Sequence, residues 1–598
     1  MLKILKYFRW YYWIFLVFII GLLYLQVSAD LEMPNFLTEI LNNAGKIAAM
    51  KELGIEAPIE LINQTKDEIW VSGRGMIICA LISVSSTIVV SLITAKMAAG
   101  FSHDLRRKIY EKIQNFSLAE IDEFSTASLI TRSTNDITQV QMIVVFGLRI
   151  AISAPIMAIS GIIKATNQAS SSNLNYIVIG SVIGLVLLVF TLFMIVMPKF
   201  KRIQGLTDKL NLTTRENLTG IRVVRASNAQ EYEENKFNDI NDDITKTNVF
   251  VNRVMSLMQP GMMILMNITS LLILWLGAYA IDSKILQIGD VFGFQQYTMI
   301  ICMAFMQLIA IFIMVPRGQV SASRINAVLD SKNLIEDPII SKNIAGNGSL
   351  EFKNVTFGYS DSEIPVLEDI TFKVNPGETL AIIGGTGSGK TTVLNLLNRF
   401  FDPIKGEILV DGINIKDVTQ HELHQKIGFI PQKSNLFIGT IESNLRFGKA
   451  DATIEEIDEA LKIAQAYEFI SKLNEGINSK VAQGGANFSG GQKQRLCIAR
   501  ALIKKPEILA FDDSFSALDL KTDKLLRDAL NESFASTTKI IVAQRIGTIL
   551  NADTIIVLDD GKIAGIGKHN ELLKTCTVYQ EIAYSQLSKE ELENAANE

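Results

Sequence analysis

Six apolar runs, each near the roughly 20 residues that an α-helix needs to cross a bilayer, constrain this chain more than any other feature. They lie at about 10–29, 73–98, 143–165, 175–197, 254–281 and 290–316. The first follows Lys3, Lys6 and Arg9. A signal peptide is the competing reading, but no small-residue cleavage site follows and the next residues are acidic and helical, so the run reads as a retained span. A chain of 598 residues exceeds what one core organises. Its mean hydropathy of +0.26 beside 20% charged residues fits a membrane part joined to a soluble part. The net charge of −5 excludes the basic footprint of a nucleic-acid binder. Cys79, Cys302, Cys497 and Cys576 are widely spaced and form no CxxC pair, so they supply neither a zinc site nor a disulfide framework.

The connections between spans alternate in charge. Those at 30–70, 166–175 and 282–289 hold few basic residues, whereas 99–141 carries Arg106, Arg107, Lys108, Lys112 and Arg132, and 198–253 is richer still. By the positive-inside rule both termini and these two long connections are cytoplasmic. Both have helical periodicity with few breakers, so they read as extensions of the spans into the cytoplasm, turning through short transverse helices at Leu118–Phe124 and Gln230–Phe237. Arg149 and Lys164 lie near the ends of the third span, where long side chains reach the interface. Nine methionines, among them Met262, Met266, Met299 and Met303, lie in the fifth and sixth spans or at their edges, and flexible thioethers suit either packing or an adaptable apolar surface. Pro155, Pro260 and Pro316 mark possible bends.

Residues 1–330 thus read as an all-α membrane domain, 331–346 as a linker broken by the turn-rich IAGNGS, and 347–598 as a nucleotide-binding domain. In the last, short strand runs alternate with helical patterns, as in an α/β core on a largely parallel sheet. Its centre is Ala381–Thr392, AIIGGTGSGKTT, an apolar strand run into a Gly-rich turn. Gly384, Gly385, Thr386, Gly387, Ser388 and Gly389 let backbone N–H groups converge on an anion, and a helix beginning near Lys390 adds its positive end. Lys390 is placed to reach the β/γ-phosphates of ATP, and Thr391, followed by Thr392, to ligate Mg²⁺.

The motifs that follow resemble those of the ATP-binding cassette (ABC) family, and the six-span membrane half resembles an ABC exporter half-transporter. The resemblance covers essentially the whole chain. Tyr359 in VTFGYS sits where the family stacks adenine on an aromatic ring. Gln432 in FIPQKSNLF matches the glutamine that contacts Mg²⁺ and the attacking water. Ser489-Gly490-Gly491-Gln492, in NFSGGQKQRLCIARAL, matches the family signature, which the resemblance implies acts in trans on ATP held by a partner's phosphate loop. ILAFDD ends in Asp512, placed to hold Mg²⁺ through water, and SALD (Ser516–Asp519) matches a loop that contacts the second nucleotide domain.

Three positions depart from the pattern. Asp513 stands where the family has Glu as general base, and a carboxylate short by about 1 Å can cost about 10²-fold in rate. Gln544 replaces the usual His; it can hydrogen-bond a γ-phosphate but cannot become a cation. Gln483 replaces a Glu in a loop facing the cytoplasmic helices. Together these resemble the hydrolysis-impaired subunit of a bacterial heterodimeric multidrug ABC exporter. The implied partner is a second half-transporter carrying Glu and His, with the bilayer and a hydrophobic small molecule as surroundings and cargo. Alternatives are a homodimer with a slow ATPase, or a nucleotide-gated channel or regulatory membrane subunit; an importer fits less well, because membrane and nucleotide parts are fused in exporter order.

The orientation has a direct check. A single cysteine placed within 167–173 will react with an impermeant thiol reagent from outside the cell, and one within 211–215 will not. The reverse labelling inverts the topology.

Overall fold

The computed structural model describes residues 2–52, 58–168, 174–359, 362 and 364–586. Six helical segments among them are long and apolar enough to cross a membrane. They are built on Trp10–Glu52, Ile59–Gln114, Leu148–Gln168, Leu174–Thr219, Met258–Asp282 and Ile288–Asp330. No more than 33% of the apolar window of any of them is buried within the protein, so most of that apolar surface is not covered by the chain itself. The 56 residues of Ile59–Gln114 rise about 84 Å at 1.5 Å each, against about 30 Å of hydrocarbon, so the helix continues far beyond the bilayer. Lys164 pairs with Glu32 of the first helix, and Glu32 also accepts from Asn35 (2.7 Å). The fully buried Tyr297 donates to the Leu31 carbonyl at 2.9 Å. Glu32 gives this lysine near the end of its span a local partner.

The turns correct one expectation. Leu118–Phe124 is a separate short helix. The second turn is not at Gln230–Phe237, because Gln230 opens the long helix Gln230–Ser256. The short helix there is Ile221–Ala226. Gly220 interrupts the preceding helix and Asn228 adopts φ 51°, a left-handed conformation that Asn tolerates, while Glu231 and Glu233 favour a new helix start. Pro260 lies in the first turn of Met258–Asp282, where its missing N–H costs nothing; the helix Ile288–Asp330 runs past Pro316.

The chain folds as two compact units, Met1–Lys112 with Ala127–Ser331, and Ile113–Thr126 with Lys332–Glu598. The short helix Leu118–Phe124 therefore belongs with the nucleotide unit. Its hook is Glu120, which is 2% exposed. The Ser117 N–H (2.7 Å) and hydroxyl donate to one carboxylate oxygen, and the Leu334 N–H donates to the other.

The nucleotide unit has two main sheets. β1 (Leu350–Phe357), β2 (Leu367–Val374), β4 (Lys405–Val410) and β5 (Ile413–Asn414) form an antiparallel sheet in the order β2-β1-β4-β5, and β3 (Thr379–Gly384) lies in the other. That second sheet adds β6 (Ile427–Ile430), β9 (Ile508–Asp512), β10 (Thr538–Val542), β11 (Thr554–Asp559) and β12 (Lys562–Gly567), in the order β12-β11-β3-β10-β9-β6. It is parallel except for its edge strand β12. β7 (Gly439–Thr440) and β8 (Lys480–Val481) form a small ribbon. The two-residue period of the strands divides the core. Ile383, Phe511 and Ile541 face one cluster with the helix Gly490–Leu502, and Ile382, Ala510 and Ile540 face another with the antiparallel sheet. Strands buried on both faces read as continuous apolar runs, as ILAFD does.

Removing the hook by Glu120→Ala strips a charged acceptor from two backbone amides, a loss of about 1.5–3 kcal/mol. Hydrogen exchange at Ser117 and Leu334 will accelerate at least about tenfold while that of β9 and β10 stays unchanged.

Candidate functional site

The parallel sheet brings four chain segments to one edge. β3 runs into the glycine-rich turn, β9 ends at Asp512, β10 is followed by Gln544, and β6 by Gln432. The register pairs Val542 with both Ile382 and Asp512, and Phe511 with Ile430, so the carboxyl ends of the four strands lie level. That edge is where open α/β sheets bind ligands.

In the turn, Gly387 (φ 86°) and Gly389 (φ 96°) take conformations that a side chain would strain, and the Lys390–Leu397 helix starts immediately after. The Lys390 ammonium donates to the Gly384 and Gly385 carbonyls at 2.9 and 2.6 Å. Burial pulls its pKa below the usual lysine value, against the upward pull of Asp513 and Asp512. A partly desolvated cation beside a glycine-rich turn that leads into a helix start is suited to an anion. Beside it the Thr391 hydroxyl donates to Asp512 at 2.9 Å. Asp512 is 4% exposed, and burial raises its pKa while the Thr391 hydrogen bond lowers it. A hydroxyl and a buried carboxylate in contact are the oxygen donors that a hard divalent cation takes.

Next to Asp512, Asp513 leaves the strand with φ 48°, a left-handed conformation that Asp tolerates better than most residues. Its Oδ2 accepts two side-chain amides, from Gln544 at 3.0 Å and from Gln432 at 3.3 Å. Its own carbonyl accepts from the Ser516 hydroxyl at 2.9 Å. The three residues singled out by sequence as chemically decisive at this edge therefore form one hydrogen-bonded group. Tyr359 stands edge-on to Phe357 and Phe401 and its hydroxyl lies 3.2 Å from Thr392, which fixes the ring against the helix that follows the turn.

The signature residues are not joined to this group. Ser489 and Gln492 form a capping box, with Ser489 N–H donating to Gln492 at 2.9 Å and Gln492 N–H to the serine hydroxyl at 3.3 Å. Among the described residues no hydrogen bond links this tetrad to the glycine-rich turn. Ser489 and Gly490 open the helix Gly490–Leu502 and are exposed. Asp519 caps the helix Leu520–Ser533, and the Thr522 N–H and hydroxyl hold its carboxylate below the usual range. Gln483 is exposed in the turn Gln483–Gly485.

One neighbour is not legible in the sequence. Gln586, 42 positions beyond Gln544, donates to the Gln544 carbonyl at 2.7 Å and accepts from the Ile546 N–H at 2.9 Å. A glutamine near a chain end carries no motif.

Comparison with known proteins finds matches over both parts of the chain. Residues 16–305 match the model of the ABC transporter transmembrane region, and residues 367–516 that of the ABC transporter. An ABC transporter ATP-binding protein of Mycobacterium tuberculosis is 38% identical over 82% of this chain and 85% of its own length. The chain belongs to the ABC transporter family. The ABC transporter ATP-binding protein YfiB of Bacillus subtilis is 35% identical over 89% of this chain and 92% of its own. A multidrug resistance ABC transporter ATP-binding and permease protein of Lactococcus lactis is 29% identical over 86% and 87%. A solved structure, described as a bacterial Atm1-family ABC exporter with ATP bound, superposes with a TM-score of 0.78 over 96% of this chain and 98% of its own at 24% identity, which establishes the fold. This ABC protein is a multi-pass half-transporter, its membrane domain fused to an ATP-binding domain, and it performs ATP-driven transport across a membrane as ABC transporters do.

Proposed function

We propose that this ABC half-transporter is the hydrolysis-impaired subunit of a heterodimeric exporter of apolar or amphipathic compounds, with both termini and the nucleotide domain in the cytoplasm. The observation that carries this reading is the Asp513 group. Its short carboxylate is engaged by two neutral amides, Gln432 and Gln544, through one oxygen. A water to be activated by that oxygen has to compete with both donors, and neither amide can become a cation to offset charge on a departing phosphate.

Binding is a separate matter. Tyr359 would take the base, the glycine-rich turn and Lys390 the phosphates, and Thr391, Gln432 and Asp512 would hold Mg²⁺, Asp512 through water. When bound, Mg²⁺ neutralises phosphate charge. The intact signature, Ser489 to Gln492, serves the other site: its serine and the amides of a helix start stabilise charge on ATP held by a partner that carries Glu and His at the positions of Asp513 and Gln544. Ser516 and Asp519 lie at the contact between the two nucleotide domains.

An apolar cargo is supported by a cleft of about 1150 Å³ between Leu174–Thr219 and Met258–Asp282, lined by Leu188, Leu265, Ile268 and Leu272.

The two motifs predict opposite mutational effects. In the assembled transporter Asp513→Asn will change ATPase little, whereas Ser489→Ala will lower it by about 10²–10³-fold, the cost of one donor to developing charge. A homodimer of this chain with brisk ATPase that Asp513→Asn abolishes contradicts the reading.

A further inference from the structure

The helix Thr577–Gln586 ends in an unassigned contact with the segment after β10. Tyr579, Ala583 and Gln586 are spaced i, i+4 and i+7, which puts them on one helix face. Tyr579 and Ala583 are fully buried in the same core cluster as Ile546, and the Tyr579 hydroxyl lies 2.7 Å from His569 Nδ1, so the helix is anchored. From that face the exposed Gln586 side chain reaches the backbone with both ends of its amide. Nε2–H donates to the Gln544 carbonyl at 2.7 Å and Oε1 accepts from the Ile546 N–H at 2.9 Å. The two bonds clip both peptide groups that flank Arg545. They determine where the Gln544 side chain starts, and that side chain bonds Asp513.

We propose that Gln586 is a positioning residue for nucleotide recognition, holding Gln544 where its amide meets the γ-phosphate and thereby separating ATP from ADP at this chain's own site. The proposal rests on the reading of Gln544 given above. A merely structural role for Gln586 would affect both nucleotides alike, because the Tyr359 ring and the glycine-rich turn contact parts that ATP and ADP share.

The test uses membranes containing the full-length chain, photolabelled with azido-ATP, with competition by ATP or ADP read on the 66.2-kDa band. Gln586 is exposed, so its replacement leaves the core packing in place. Gln586→Ala will raise the ATP needed to halve labelling by about fivefold or more while leaving ADP within about twofold, the scale expected for losing one or two hydrogen bonds. Gln544→Ala, run in parallel, will show the same ATP-selective loss. Loss in Gln544→Ala without loss in Gln586→Ala overturns the clip alone, as does equal weakening of ATP and ADP by Gln586→Ala. No ATP-selective loss in Gln544→Ala overturns the reading of Gln544, and the clip with it.

Discussion

The level ends of four parallel strands are the constraint on which the nucleotide unit depends. Because β3, β10, β9 and β6 pair in register, residues as distant in sequence as Lys390, Gln432, Asp512 and Gln544 arrive at one edge without any local sequence arranging it. The pairing is held by burial. Side chains from the two strand faces enter two separate apolar clusters, and each fully buried Ile or Phe contributes about 1.5–3 kcal/mol. A register slip of one residue would exchange those faces and move the carboxylates of β9 off the edge. Packing and chemistry are thus set by the same ladder.

At that edge two groups of side chains stand next to each other. Lys390, Thr391 and Asp512 form a cation and an oxygen pair in partly desolvated surroundings, where charge interactions are strong. Asp513, one residue on, is satisfied by amides. The exposed capping box at Ser489 is complete by itself and offers its helix start outward.

Much of this is legible in the sequence, for physical reasons that also explain the exceptions. Phosphate cradles need glycines and a lysine at fixed spacing, and spans need about 20 apolar residues, so AIIGGTGSGKTT and the six runs mark themselves. The pairing of Lys164 with Glu32 is not readable, because it joins two helices that nothing local relates. The second turn begins at Ile221 rather than Gln230: helical periodicity continues through Gly220–Ala229, and the break lies in the backbone of Gly220 and Asn228 rather than in the hydrophobic pattern. Glu120 and Gln586 act through single side chains on distant backbone, at Leu334 and at Gln544 and Ile546. Such contacts have no spacing rule, and only the folded chain reveals them.

The central claim is that this chain works beside a different one. Native mass spectrometry of the complex purified in detergent through a tag on this chain tests it most directly. The account predicts one 66.2-kDa chain in equal amount with a second, distinct polypeptide. A complex of two copies of this chain and no other polypeptide would contradict it.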